Sequence, residues 1–169
     1  MSQKLDIEFA RVEEALVAAR LRPLSSRKTL LAAVLLDNFC DQAFDALRRS
    51  APARVFDAED VLAFRERLRA QEPALGLIFD LCASAPGGPR LETHAVAVPI
   101  EEYGGLSIED FMVSLYNANT VQRVVFAMED GSMQLAHEVL GKAMAYLSKS
   151  FFPGDLTGWA SLGRGKTSS

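Results

Sequence analysis

The chain is poor in cysteine and histidine, and it has no long hydrophobic run. Only Cys40, Cys82, His94 and His137 represent these two residue types among 169 residues. A secreted disulfide scaffold has several spaced cysteine pairs and a typical zinc site has clustered ligands, so the sequence indicates neither. It also lacks an apolar signal-peptide core at its start and any apolar run of about 18 residues, which predicts a cytoplasmic protein outside the membrane.

The chain has a slight excess of negative charge. The formal net charge is -4 and the sequence pI is about 5.2, which argues against nucleic-acid or anionic-membrane partners. The content of 49% hydrophobic and 24% charged residues is that of a globular protein. Arginine outnumbers lysine 13 to 5, which indicates a GC-rich bacterial genome. Standard motifs for nucleotides, redox cofactors and hydrolytic nucleophiles are missing, so we predict no cofactor.

The first half of the chain has the periodicity of helices. Apolar residues recur every three or four positions, and this predicts helices over residues 4–21, 26–50, 58–70 and from Pro73 to the Pro/Gly-rich stretch at 85–89. Phe56 and Val61 fit a hydrophobic staple around an N-cap at Asp57, which places the start of the third helix. Residues 1–88 are therefore predicted to form a helical subdomain of about four helices.

The second of these helices is apolar around more than half of its circumference. Its apolar residues are Leu30, Leu31, Val34, Leu35, Leu36, Phe39, Cys40, Ala43, Phe44 and Leu47. A helix of this kind needs cover on several sides. It is therefore either the centre of a bundle or part of a contact between subunits, and we expect the protein to self-associate as a homodimer or another homo-oligomer.

After the Pro/Gly-rich stretch the period changes to two, which predicts a strand from Leu91 to Ile100. A capped helix follows to about Asn117, with Ile108, Phe111, Met112 and Leu115 expected to point inward. Residues 120–128 form a second strand that ends at the hairpin signal Asp130-Gly131. Residues 133–136 fit strand or helix equally. The prediction is an α+β fold with a mixed α/β subdomain over 89–152, a last helix around 139–147 and a flexible tail over 153–169.

The start of the second helix has the composition of an anion site. Free backbone N–H groups, hydroxyls and two cations coincide in residues 25–29, which are Ser25, Ser26, Arg27, Lys28 and Thr29. Arg20 and Arg22 could add charge from the end of the first helix. Ordinary helix capping with basic residues in a solvated connector is the alternative, because capping alone explains both serines.

The two histidines are the catalytic candidates. His94 and His137 could transfer a proton together with Glu92, Glu101 or Glu138 if the fold brings them together. The simpler interpretation of His94 is a half-buried, hydrogen-bonded histidine on a strand, because it shares a face with Val96.

Three further patterns are weaker. Asp37, Asp41 and Asp45 share one stripe of the second helix, where a solvated face is favoured over a metal site that would need ligands such as Glu13 and Glu14. Residues 160–167 match a relaxed phosphate-binding loop without the helix that such a loop opens. Residues 101–105 form a loop with two carboxylates and a tyrosine, for which a polar turn is favoured.

These observations rank three functions. The first is a non-enzymatic bacterial accessory or interaction protein that self-associates. The second is a regulatory module that binds a small ligand or phosphate at residues 25–29. The third is a small enzyme that uses His94 or His137.

Overall fold

The computed structural model describes residues 3–98 and 105–153. Within these residues four helices precede a unit of strand, helix, two strands and helix, which confirms the α+β class. The helical half comprises α1 (Gln3–Arg20), α2 (Ser26–Leu47), a 3-10 turn (Pro52–Val55), α3 (Val61–Gln71) and α4 (Pro73–Cys82). The second half comprises β1 (Arg90–Ala97), α5 (Ile108–Tyr116), β2 (Thr120–Ala127), β3 (Met133–Leu135) and α6 (Ala136–Phe151). None of the helices in the described residues is both long and apolar enough to cross a bilayer.

The three strands form one antiparallel sheet in the order β1-β2-β3. β1 pairs with β2 along its whole length, whereas β3 pairs only with Val125, Phe126 and Ala127 at the end of β2. The predicted Asp130-Gly131 turn joins β2 to β3, and Gly131 adopts a positive φ of 85° there. The ambiguous residues 133–136 are divided between β3 and the first residue of α6. The first part of β2 is therefore free of a strand neighbour on the β3 side.

One continuous hydrophobic core joins the helices to the sheet. α2 packs against α1, α4 and α6, and α6 also packs on β2. Buried residues from both sides of the 85–89 boundary belong to this core, and its largest members include Phe39, Phe64, Phe126 and Phe151. α2 is thus central to the fold, but Leu30, Leu31 and Val34 on its first turns stay exposed.

The start of α3 differs from the prediction. The 3-10 turn ends at Phe56, and both Phe56 and Asp57 adopt left-handed backbone conformations with φ of 60° and 51°. Asp57 therefore cannot be the N-cap, because an N-cap residue is normally extended. Asp60 takes this role, and its Oδ1 accepts a hydrogen bond from the Ala63 N–H at 2.8 Å.

The orientation of α5 also differs from the prediction. The residues expected to point inward are exposed instead, including Ile108 at 84% and Leu115 at 55%, and Ser114 is the buried residue of this helix. The physical reason is that α5 packs on β2 at the margin of the sheet, where no second layer covers its outer side among the described residues. An open cavity of about 420 Å³ is lined by Val113 and Asn117 of α5 and by Ala95, Thr120 and Gln122 of the strands.

Candidate functional site

A cavity of about 870 Å³ lies where the two halves of the fold meet. It opens between the α1–α2 turn, the start of α5, the start of α6 and the middle of β2. The side chains used below are Glu13, Leu16, Val17, Arg20, Leu21, Arg22, Ser25, Thr29, Ser107, Glu109, Asp110, Arg123, His137, Leu140 and Met144, all of which line it.

The sheet topology contributes to the wall of this cavity. Because β3 covers only the end of β2, the Val124 N–H has no strand partner on that side and donates to the Pro23 carbonyl oxygen at 3.3 Å. This bond joins the α1–α2 turn to the sheet. Pro23, which ends the periodicity of α1 in the sequence, and Val124 both line the cavity, so this bond lies in its wall.

Three helices begin at the cavity wall. Ser25 caps α2 by accepting from the Lys28 N–H at 3.2 Å, and Ser107 caps α5 by accepting from the Asp110 N–H at 3.1 Å. No side chain caps α6, which begins at Ala136 directly on the wall. Helix N-termini carry partial positive charge, so the presence of three of them along one wall favours an anionic ligand group.

No protein-family model matches the chain, and no curated protein or solved structure is significantly similar to it. The chemistry of the cavity therefore has to follow from its own residues.

The charged side chains of the wall differ in ion pairing and in exposure. Arg123 on β2 donates two hydrogen bonds to Asp110 of α5, at 2.9 and 3.2 Å, and both side chains are largely covered. Arg20 and Arg22 are exposed at the rim and form no ion pair with any described residue. The fixed Arg123–Asp110 pair holds α5 to the sheet, while the two rim arginines can turn toward a ligand.

The helix places the residues of the predicted anion site, 25–29, on different faces, and only one of these faces lines the cavity. Ser25 and Thr29 lie on the cavity wall, and Thr29 is 4% exposed. Arg27 and Lys28 are exposed and do not line the cavity, and Ser26 is half-buried outside it. The helical periodicity explains this division, since positions four apart share a face and the positions between them do not. Arg20 and Arg22, rather than Arg27 and Lys28, are the cations beside the hydroxyls.

The two histidines lie in different surroundings. His137 is the second residue of α6 and lines the cavity. His94 stands on β1 opposite Arg123 and is absent from the cavity wall; its Nε2 lies 2.7 Å from Glu92 Oε2. Hydrogen bonding with His94 lowers the pKa of the Glu92 carboxyl. A shared His94–His137 centre therefore has no support in this arrangement, and Glu101 lies outside the described residues.

The aspartate stripe of α2 binds an arginine. Arg65 of α3 donates to Asp37 at 2.8 Å and, through two nitrogens, to Asp41 at 2.8 Å. Its guanidinium also lies over the Phe79 ring, 4.8 Å from the centroid. Burial raises the pKa of Asp37, and hydrogen bonding with Arg65 opposes the shift. The expectation of a solvated face is thus wrong for Asp37 and Asp41, and no cluster of metal ligands occurs within 3–98 and 105–153.

Two sequence patterns fall outside the described residues. The phosphate-loop-like residues 160–167 lie in the segment 154–169, and most of the loop at residues 101–105 lies in the segment 99–104. The cavity residues that sequence reasoning missed include Arg123 and Asp110, and Glu13 was considered only as a metal ligand. Arg123 had a visible signal, since it is the single charged residue in the strand TVQRVVFA.

Proposed function

We propose that this protein is a binding module for a small ligand that carries a phosphate or carboxylate group and an apolar portion. The observation that supports it most is the opening of three helix N-termini into one cavity of about 870 Å³. Cavities of this size are typical of drug-sized ligands. Helix N-termini along its wall give such a cavity a preference for anions.

The polar end of the ligand fits the wall formed by α2 and α6. Ser25 and Thr29 supply hydroxyls there, and the uncapped start of α6 supplies backbone N–H groups. Arg20 and Arg22 stand at the rim without partners among the described residues. Glu13 and Glu109 line the same cavity, and they favour a ligand whose negative charge is localised at one end.

The apolar portion of the ligand fits the apolar side chains of the wall. These include Leu16, Val17, Leu21, Leu140 and Met144. Removal of apolar surface from water contributes about 25 cal/mol per Å², so a short alkyl chain adds several kcal/mol of gross binding energy. A bare inorganic anion leaves this part of the cavity unused and should bind more weakly.

A thermal-shift titration with octyl phosphate tests the proposal. Inorganic phosphate, which has only the anionic group, and 1-octanol, which has only the alkyl chain, serve as comparison ligands. Octyl phosphate at about 100 times its Kd stabilises the native state by about 2.7 kcal/mol, which is a rise in Tm of about 5–11 °C for a chain of this length. We expect smaller rises with either comparison ligand. No rise with any of the three would contradict the proposal.

Variants of the wall make the test specific. The double substitution Arg20→Ala and Arg22→Ala should weaken binding of octyl phosphate about thirtyfold, because each of the two lost charge-assisted hydrogen bonds contributes about 1 kcal/mol at an exposed rim. Thr29→Val removes one hydroxyl at nearly constant volume. The matched control, Arg27→Ala with Lys28→Ala, removes two cations from the same turn outside the cavity and should leave binding unchanged. Equal losses in both double variants would show a nonspecific charge effect.

The exposed apolar side chains of α2 and α5 favour a second function, that of a self-associating interaction protein. Its surfaces only adjoin the ligand site, because Leu30, Leu31 and Ile108 do not line the cavity whereas Leu24 does. An enzymatic role is the weaker candidate. It would use His137 with the carboxylates of the same wall, and its signature would be pH-dependent turnover that His137→Gln abolishes.

A further inference from the structure

Helix α5 displays an apolar surface on its solvent side. Five large apolar residues of this helix have exposures between 44 and 84%, and they are Ile108, Met112, Val113, Leu115 and Tyr116. Together they expose on the order of 700 Å², more than the few hundred Å² that is common for a patch on a monomer. Burial of Ser114 alone does not explain why a helix of this composition lies at the margin of the fold.

A second apolar surface lies at the corner between α1 and α2. Its members are Leu21, Leu24, Leu30, Leu31 and Val34, which are all exposed. None of them is needed for the core, since α2 buries its opposite face against α1, α4 and α6. The corner and α5 both border the cavity, because Leu24 and Glu109 line its two sides.

The two surfaces carry opposite charge. Residues 15–36, which include the corner, contain four basic residues and no aspartate or glutamate. Arg27 and Lys28 are exposed next to the apolar corner. On α5, Asp110 is paired with Arg123, and Glu109 on the first turn is an exposed acid. Pairing of like surfaces would bring like charges together, while pairing of α5 with the corner brings opposite charges together.

We propose that two copies of this chain form a two-fold dimer in which α5 of each copy docks on the α1–α2 corner of the other. In an isologous interface the same two patches meet twice, and this requires that both lie on one side of the molecule. The two surfaces are neighbours on the molecule, since Leu24 and Glu109 line the same cavity, and this arrangement is compatible with that requirement. A standard interface buries about 800 Å² per partner, and α5 with the corner supplies this area. A second copy is thus sufficient to cover both surfaces.

A charge exchange tests this pairing in sedimentation-velocity experiments on the full chain. The unmodified protein should pass from monomer to dimer as its concentration rises through the micromolar range. Glu109→Lys alone should weaken the dimer about a hundredfold or more, and so should Arg27→Glu with Lys28→Glu. A close interfacial charge pair couples by about 1.5 kcal/mol or more, and each pair occurs twice in a two-fold dimer. The combined variant should regain most of the affinity, because each acid again meets a base.

Control variants separate the interface from general charge and folding effects. Glu59→Lys makes the same substitution at an exposed position outside both surfaces and should leave the dimer intact. Met112→Ser with Leu115→Ser should give a monomer with unchanged circular dichroism, whereas Leu62→Ser on the exposed side of α3 should not.

Four outcomes would overturn the proposal. The first is a monomer at all concentrations, which would assign the surfaces to a different partner. The second is a dimer that is insensitive to both charge reversals. The third is a combined variant that stays monomeric, and the fourth is the formation of open-ended polymers. The test uses ligand-free protein, so it is independent of binding in the cavity.

Discussion

Replacement of Arg65 by methionine removes the cation that α3 places against the aspartate stripe of α2. Arg65 and Asp37 are mostly covered, with side-chain exposures of 21 and 15%, while Asp41 is 44% exposed. Loss of one partner from a buried pair costs about 3–5 kcal/mol, because the remaining charge stays buried without compensation. Partial exposure of Asp41 reduces this figure. We expect Arg65→Met to lower the free energy of unfolding by about 2–3 kcal/mol.

The pH dependence gives this prediction a second, independent readout. Burial already raises the pKa of Asp37 above its ordinary value of 3.8, and removal of Arg65 raises it further. A carboxyl whose folded pKa is raised destabilises the fold as pH rises above the unfolded pKa, and it has no such effect when protonated in both states. The loss of folding free energy caused by Arg65→Met should therefore be largest near neutral pH. It should become smaller as pH falls toward the ordinary pKa of an aspartate.

Urea unfolding followed by far-UV circular dichroism measures both effects. The control is Arg67→Met, the same substitution at an exposed position of α3. It should change the free energy of unfolding by less than about 0.5 kcal/mol. A deficit for Arg65→Met that equals this control, or one that grows on acidification, would refute the inference that Arg65 compensates buried aspartates.

Two further predictions concern titratable groups elsewhere. Arg69 donates hydrogen bonds to Asp80 from both terminal nitrogens at 2.8 Å, and these bonds lower the pKa of Asp80. The contribution of Asp80 to the free energy of unfolding is therefore present above pH 3.8 and is lost as pH falls through the lowered pKa. Asp80→Asn should accordingly have a free energy of unfolding lower than that of the unmodified protein by up to about 1 kcal/mol, and only near neutral pH. Urea unfolding at several pH values measures this difference, and a difference that persisted in acid would contradict the prediction. The second prediction concerns the two thiols. Burial raises the pKa of the Cys82 thiol to about 11, and it also raises the pKa of the fully buried Cys40 thiol. A thiol reagent at pH near 8 should therefore modify Cys82 slowly and Cys40 only on unfolding, and rapid modification of both in the native protein would contradict the burial.

Much of the local structure was predictable because it depends on neighbours in the chain. The helix start at Ser25, the Pro73 first turn of α4, the alternation along β1 and the Asp130-Gly131 hairpin all follow from capping, ring constraints and periodicity within a few residues. The inward residues of α6 were predictable for the same reason, since one face of an amphipathic helix is sufficient to identify them.

The sequence alone determined the fold class, the order of the elements, the scarcity of metal ligands and the presence of a hydroxyl-rich helix start. Only the tertiary structure decided that this helix start faces a cavity, that Arg20, Arg22 and Arg123 rather than Arg27 and Lys28 border it, and that α5 points its apolar residues outward. The physical reason is that periodicity identifies which side chains share a face but not what that face meets. Here the short pairing of β3 leaves the Val124 N–H to Pro23, and this long-range contact lies in the wall of the cavity.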